Sequence, residues 1–312
     1  MLNINKELSG VKVGSATVFA GLAVFPLIRK GHVERDYLTL GEAFAKEGVE
    51  ITEVSESGSV PELKLKNKLG QDVFAADGEA LLGAKQNRVL NTSIFVNAKS
   101  EIRVPVSCVE QGRWHYRNRD FRASEHSEFV SSRAVKMKSV ANCLKATGTD
   151  RYSDQGAVWR EVAAKQRDFG AFSPTGSMDD AYEARRPGLD QYVENIPVQP
   201  GQAGIAAVIG GKIAGLELFE DESVFCQYAS KLIRAYASEV LGRDMMAASV
   251  PDRFDVRRLL RKMAESEVDA YPAVGNGTEL RFKISGLNGS ALVANERLLH
   301  MVMLREGSEK RY

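Results

Sequence analysis

Gly210-Gly211 separates two apolar, β-type segments, Ala203 to Ile209 and Ile213 to Phe219, and Asn288-Gly289 separates Leu280 to Ser285 from Ser290 to Ala294. Such dipeptides supply the positive φ angles that two-residue turns demand, so each pair reads as the tip of a β-hairpin. Hairpins join antiparallel neighbours, and the chain must therefore carry sheet that is not wholly parallel. Between these hairpins, Phe225, Ala229, Leu232, Ile233, Tyr236 and Val240 recur at helical spacing, and a second helix is expected over Asp255 to Glu265.

The first third reads as mostly β. Apolar or alternating runs occupy Ala16 to Ile28, Leu63 with Leu65, Val73 to Ala76, Ser93 to Val96 and Ile102 to Val109, with a short helix over Tyr37 to Lys46. Gln111 to Ser127 has little periodicity and is expected to be a long loop. Helices follow through Val130 to Leu144 and around Val158, Val162 and Ala163. Residues 166–202, with Pro174, Pro187, Pro197 and Pro200, read as loop with one helical turn around Asp179 to Arg185, and as the candidate boundary between lobes. The expectation is an α+β fold, with mixed and antiparallel sheets and their hairpins packed against several amphipathic helices. It is either one large domain or two packed lobes, a β-rich lobe over 1–125 and helices followed by hairpins over 126–312. Ala20 to Phe25 and Ala214 to Phe219 share four of six residues, a match that chance explains for strand-like hexamers, the alternative being that two related sheet elements form the two lobes.

At 312 residues, with 44% hydrophobic and 27% charged side chains, the chain can bury a core without a staple. Lys plus Arg number 42 against 41 for Asp plus Glu, so no global field draws it to nucleic acid or to an anionic bilayer, and neither is expected as a partner. Cys108, Cys143 and Cys226 are widely spaced, and His32, His115, His126 and His300 form no paired motif, which argues against a disulfide framework or a zinc centre. Met1 to Gly10 lacks the apolar core of a signal peptide, and a cytoplasmic location is expected.

The chemistry concentrates in Asp77 to Arg88. Gly78 and Gly83 permit unusual backbone or close approach. Lys85 and Arg88 could hold phosphate, Gln86 and Asn87 could orient a polar ligand, and Glu79, with Glu110 as a second carboxylate, is the candidate acid/base. The plain alternative is two turns and a solvated polar strip. Neither nucleotide-loop fingerprint, GxxxxGK[ST] or GxGxxG, is present. Cys108 precedes Arg113 with four residues between, one short of the cysteine-phosphatase spacing, so it reads as a buried strand cysteine. Glu110 with Arg113 reads equally as a structural ion pair or as part of a site. Trp114 to Arg122 interleaves aromatics and cations, as a base-stacking, phosphate-neutralising surface or a solvated loop would.

The segments GEALLGAKQNRVLN (Gly78 to Asn91) and VPVSCVEQGRW (Val104 to Trp114) resemble the paired signatures of the ARG-and-rhodanese/phosphatase-superfamily-associated domain family. AVFPL (Ala23 to Leu27), YLTLGEA (Tyr37 to Ala43), EVSESGSVPEL (Glu53 to Leu63) and GQAGIAAVIGGKIAGLELF (Gly201 to Phe219) extend the resemblance over residues 18–240. The resemblance implies a context of ADP-ribose or nucleotide metabolism, an ADP-ribosylglycohydrolase-related partner, and ligand contacts by Gly78, Gly83, Lys85, Gln86, Asn87, Arg88, Arg113 and Trp114. The expected function is a hydrolase-like enzyme on such a compound. The rival expectations are a noncatalytic ADP-ribose or nucleotide-binding module and an interaction scaffold. No cofactor is evident, although magnesium held by Asp77, Glu79 or Glu110 with substrate phosphates is compatible with these residue types.

Overall fold

The computed structural model describes residues 4–29, 35–243 and 251–306; readings made on Met1 to Asn3 and on His32 lie outside the described residues. The helices are α1 (Ile4–Ser9), α2 (Leu40–Ala45), α3 (Val130–Thr147), α4 (Gln155–Phe169), α5 (Met178–Asn195), α6 (Glu222–Ala237) and α7 (Arg253–Ala264). The first nine strands are β1 (Lys12–Val13), β2 (Thr17–Phe19), β3 (Leu22–Ile28), β4 (Tyr37–Thr39), β5 (Val49–Glu53), β6 (Glu62–Asn67), β7 (Asp72–Ala75), β8 (Glu79–Gly83) and β9 (Arg88–Leu90). They are followed by β10 (Ile94–Val96), β11 (Glu101–Cys108), β12 (Phe121–Ser127), β13 (Gln202–Ile209), β14 (Lys212–Phe219), β15 (Asp269–Pro272), β16 (Thr278–Ile284), β17 (Leu287–Ala294) and β18 (Arg297–Arg305). The fold is α+β. The chain divides into two compact units, one of Met1–Glu34, Pro187–Ala270 and Thr278–Tyr312, the other of Arg35–Arg186 with Tyr271–Gly277.

The first unit is built on a sheet in the order β1-β3-β13-β14-β18-β17-β16-β15, with β2 paired to β3. Its core gathers Phe25, Leu27, Ala206, Leu216, Leu218, Met301 and Met303 from the strands with Val256, Leu259, Leu260 and Met263 from α7. Helix α6 starts where the Asp221 carboxylate accepts from the Val224 amide, and α7 where Asp252 and Asp255 close a capping box. The Gly210-Gly211 hairpin is as expected, with Ile209 paired to Lys212. The two similar hexamers overlap β3 and β14, the neighbours of β13 in this one sheet, and so do not mark two lobes.

The second hairpin corrects the sequence reading. Its turn is Ser285-Gly286, with φ angles of 51° and 78°, while Asn288 and Gly289 lie in β17 opposite Lys283 and Phe282. Gly289 is small for packing: a Cβ there would stand 2.0 Å from the Phe282 ring.

The second unit holds a three-stranded sheet, β10-β7-β4, and a six-stranded one, β12-β8-β9-β11-β6-β5. The two edges of the larger sheet meet where Thr52 bridges Asp120, which curls it into a barrel-like ring. Alternate residues of its strands, Val49 and Ile51, Leu63 and Leu65, Leu81, Leu90, Val104 and Val106, join one apolar cluster with Phe121. The same alternation carries Glu53, Arg88 and Cys108 onto that face, so the apolar lining ends in charge. Gln155 of α4 pins this end, accepting from the Cys108 amide and donating to its carbonyl, each at 2.8 Å.

Two expected loops contain regular structure. Gln111 to Asp120 is a loop, but Phe121–Ser127 is strand β12, bulged between Ala123 and Ser127. The proline-rich stretch holds the 18-residue α5, with Pro187 inside it, where a turn was expected. Met178, Ala181, Tyr182, Leu189 and Tyr192 give it a buried stripe whose packing sustains the helix past the proline.

Candidate functional site

Gly78 opens the first motif at φ +76°, in the turn between β7 and β8. A Cβ here would lie 2.7 Å from Cδ of Arg133, so glycine leaves room for that side chain to reach Asp77. Arg133 Nε donates to Asp77 Oδ1 at 3.2 Å, and Lys136 Nζ lies 3.0 Å from the same oxygen and 2.6 Å from Glu128 Oε2. Burial pushes the Glu128 carboxyl up, against the pull of Lys136. The cluster ties α3 beneath the motif. Glu79, 3% exposed, accepts from the Ala76 amide at 3.3 Å, and stands one two-residue step along β8 from Leu81, the residue paired with Arg88.

The β8–β9 turn carries the other polar residues of the motif, and the second motif grips it. Glu110 accepts through Oε2 from Arg113 Nη2 at 2.6 Å and from the Asn87 amide at 3.1 Å, and through Oε1 from Thr175 at 2.7 Å. Burial alone would raise the Glu110 carboxyl, but the bonds from Arg113, Thr175 and Asn87 bring it below the usual carboxylate range. Arg113 also donates to the carbonyls of Ala84, Gly83 and His115 and to Asn87 Oδ1. Asn87 accepts as well from the Gly83 amide and donates to Ser177. Gly83 permits Asp120 to approach, since a Cβ would stand 2.5 Å from that carbonyl oxygen. The two sequence motifs thus form one hydrogen-bonded body.

A model of the ARG and Rhodanese-Phosphatase-superfamily-associated Protein domain, ARPP-1, matches residues 10–304, nearly the whole chain and both motifs. The chain belongs to this family. No curated protein and no solved structure gives a significant match.

In this ARPP-1 chain the cations of the first motif gather under an aromatic cover. Arg88 is 0% exposed; its Nη1 donates to Gln86 Oε1 at 2.9 Å, its Nη2 lies 3.8 Å from Glu53 Oε1, and its Cζ lies 5.6 Å from the centroid of the Trp114 ring. Lys85 Nζ donates to the Glu56 carbonyl at 2.5 Å and lies 5.5 Å and 5.1 Å from the Trp114 and Tyr116 rings. Trp114 itself is 45% exposed. Arg88 Nε, Arg88 Nη2, Arg113 Nε and Glu53 Oε2 are buried with no hydrogen-bond partner. Burial pulls the Arg88 guanidinium below its ordinary value, offset by Cys108, Glu53 and Glu110 and reinforced by the like charge of Arg113. Burial also raises the Cys108 thiol, against the pull of the Arg88 charge.

Beside this cover opens a cleft of about 490 Å³ at the seam of the ring, lined by Glu50, Thr52, Glu53, Ser55, Glu56, Tyr116, Arg119 and Asp120. The expected residues therefore separate into groups. Lys85, Gln86, Arg88 and Trp114 meet beside the cleft; Gly83, Asn87, Glu110 and Arg113 form the bracket beneath; Gly78 and Glu79 lie toward the Asp77 cluster. Among the described residues no group of three or more His, Cys, Asp or Glu could hold a metal ion. Asp77 and Glu110 are taken up by Arg133, Lys136 and Arg113, which fits magnesium poorly. Sequence reading did not single out Glu53 or Thr175 as site residues, whereas Tyr116 lies in the Trp114 to Arg122 stretch read as a base-stacking surface or a solvated loop. Glu53 begins the quoted EVSESGSVPEL segment, the one signal that could have marked it.

Proposed function

We propose that the ring of the second unit is a binding module for a small phosphorylated ligand of nucleotide type. The observation that carries it is the pair of buried guanidinium donors beside the cleft, Arg88 Nε and Arg88 Nη2, that make no hydrogen bond, Nη2 having only the Glu53 carboxylate at 3.8 Å. An unmet buried donor costs about 1–3 kcal/mol, and a phosphate oxygen is the acceptor best matched to a guanidinium. Trp114 and Tyr116 offer faces on which a base can stack, and the carboxylates of the cleft can accept from ribose hydroxyls. Because Arg88 is fully covered as arranged, ligand entry displaces the Trp114 ring.

Binding is favoured over hydrolysis because both candidate carboxylates are engaged: Glu110 accepts from three partners and Glu79 from the Ala76 amide. Calorimetry with inorganic phosphate, ribose 5-phosphate, AMP, ADP and ADP-ribose, followed by product analysis, tests the reading. Expected is a Kd between micromolar and millimolar for at least one phosphorylated member, weakened about tenfold or more by Arg88→Lys and by Trp114→Ala, without turnover. No binding below about millimolar Kd to any member overturns it. Product formation abolished by Glu79→Gln replaces it with the hydrolase.

A further inference from the structure

We propose that the outer face of α7, in the first unit, binds single-stranded nucleic acid, with a base stacked on Phe254 and phosphates held by the arginines beside it. The helix buries Val256, Leu259, Leu260 and Met263 and turns Arg253, Phe254, Arg257, Arg258, Arg261 and Lys262 outward. Facing them are Asp252 and Asp255, engaged in the capping box, and Glu265 at the far end. Asp255 also pairs with Arg258. In a chain whose basic and acidic residues number 42 and 41, this is a local concentration of positive charge. The expectation of no nucleic-acid partner rests on the overall balance, and this face is an exception to it.

Phe254 is 59% exposed, with the guanidinium carbons of Arg253 and Arg257 at 5.7 Å and 5.6 Å from its ring centroid. An aromatic ring exposed to water with two guanidiniums close to it is a stacking platform with its counter-charges in place. Arg253, Arg257 and Arg261 recur every fourth residue, a rise of about 6 Å per step, close to the interval between successive phosphates of an extended strand. Clefts flank the helix and continue the charge. One of about 410 Å³ is lined by Lys212, Arg258, Lys262 and Arg305 among others. Another of about 480 Å³ is lined by Lys12, Arg257 and Arg261 among others.

Other polyanions fit less well. Insertion into an anionic bilayer uses the apolar face of a helix, and here that face is committed to the core. Duplex nucleic acid keeps its base faces stacked away from Phe254, and a polyanion without rings, such as polyglutamate, matches the cations but offers nothing to stack on Phe254.

Fluorescence anisotropy with a labelled mixed-sequence single strand, as DNA and as RNA, tests the proposal against the same sequence as a duplex and against polyglutamate. Expected is binding at about 50 mM salt that weakens toward about 200 mM, with a log–log slope of roughly −2 to −3 for three to four phosphate contacts. Phe254→Ala should weaken the single strand about fivefold or more. Arg257→Ala with Arg261→Ala should make the slope shallower by about 1.4. All three side chains are exposed, and thermal melting confirms that the variants fold. The proposal is overturned by absence of single-strand binding at the lower salt, by equal affinity for duplex or polyglutamate, or by unchanged affinity in Phe254→Ala.

Discussion

Arg113 and Glu110 close a 2.6 Å ion pair in the interior of the second unit, and each partner also holds the β8–β9 turn, Glu110 through the Asn87 amide and Arg113 through the Gly83 and Ala84 carbonyls. The second motif is thus the bracket that shapes the first.

Removing one partner of such a pair leaves the other buried and uncompensated. Glu110→Gln and Arg113→Ala should each lower unfolding free energy by about 3–5 kcal/mol. The Glu110 carboxyl lies below its unfolded value in the fold, so its contribution is complete above the ordinary carboxylate range and is lost as pH falls through the folded value. Denaturant titrations from neutral pH into acid should show a smaller pH dependence for Glu110→Gln than for the parent. Parallel curves would exclude Glu110 as a source of the acid limb.

Gly78→Ala meets two obstacles, a φ of +76° and Cδ of Arg133 at 2.7 Å from the new Cβ. The expected loss is about 1–3 kcal/mol, measured by equilibrium denaturation. Combining it with Arg133→Ala should cost less than the sum of the two changes, because the crowded side chain is then gone.

Gly289→Ala places a methyl into the Phe282 ring and should cost about 1–3 kcal/mol of overpacking. Phe282→Leu in the same chain should recover part of that loss. A turn role for Asn288-Gly289 would give no such coupling, and the double-mutant cycle distinguishes the two.

Thiol chemistry should follow exposure. Cys226 is exposed, Cys143 intermediate and Cys108 buried with a raised thiol, so a chromogenic disulfide reagent should label Cys226 first and Cys108 only after unfolding. Early modification of Cys108 in the folded protein would contradict the burial that shields Arg88.

Legibility followed the range of the forces involved. The Gly210-Gly211 hairpin and the α6 stripe were visible because turn chemistry and side-chain period act locally. Asn288-Gly289 misled because a glycine demanded by the ring of Phe282 across the sheet looks, in one dimension, like a glycine demanded by a turn. Helix α5 was concealed by Pro187-Gly188, two breakers that its buried stripe outweighs. At the candidate site, the residue types of Gly78 to Arg88 were conspicuous. Their division into a cleft-side group and a bracket was not, since Glu53, Thr175 and Tyr116 join them only through the closure of the ring and the approach of the segment before α5.

Strand β18 lies between β14 and β17, although it is the last described element of the chain. During synthesis, β14 therefore waits with one hydrogen-bonding edge open until almost all of the described chain has been made. The second unit takes all but Tyr271–Gly277 from the single stretch Arg35–Arg186, so its ring can assemble while the wider sheet is still missing a central strand. Ribosome order makes that waiting edge the point where a nascent chain is most exposed to mispairing with its neighbours.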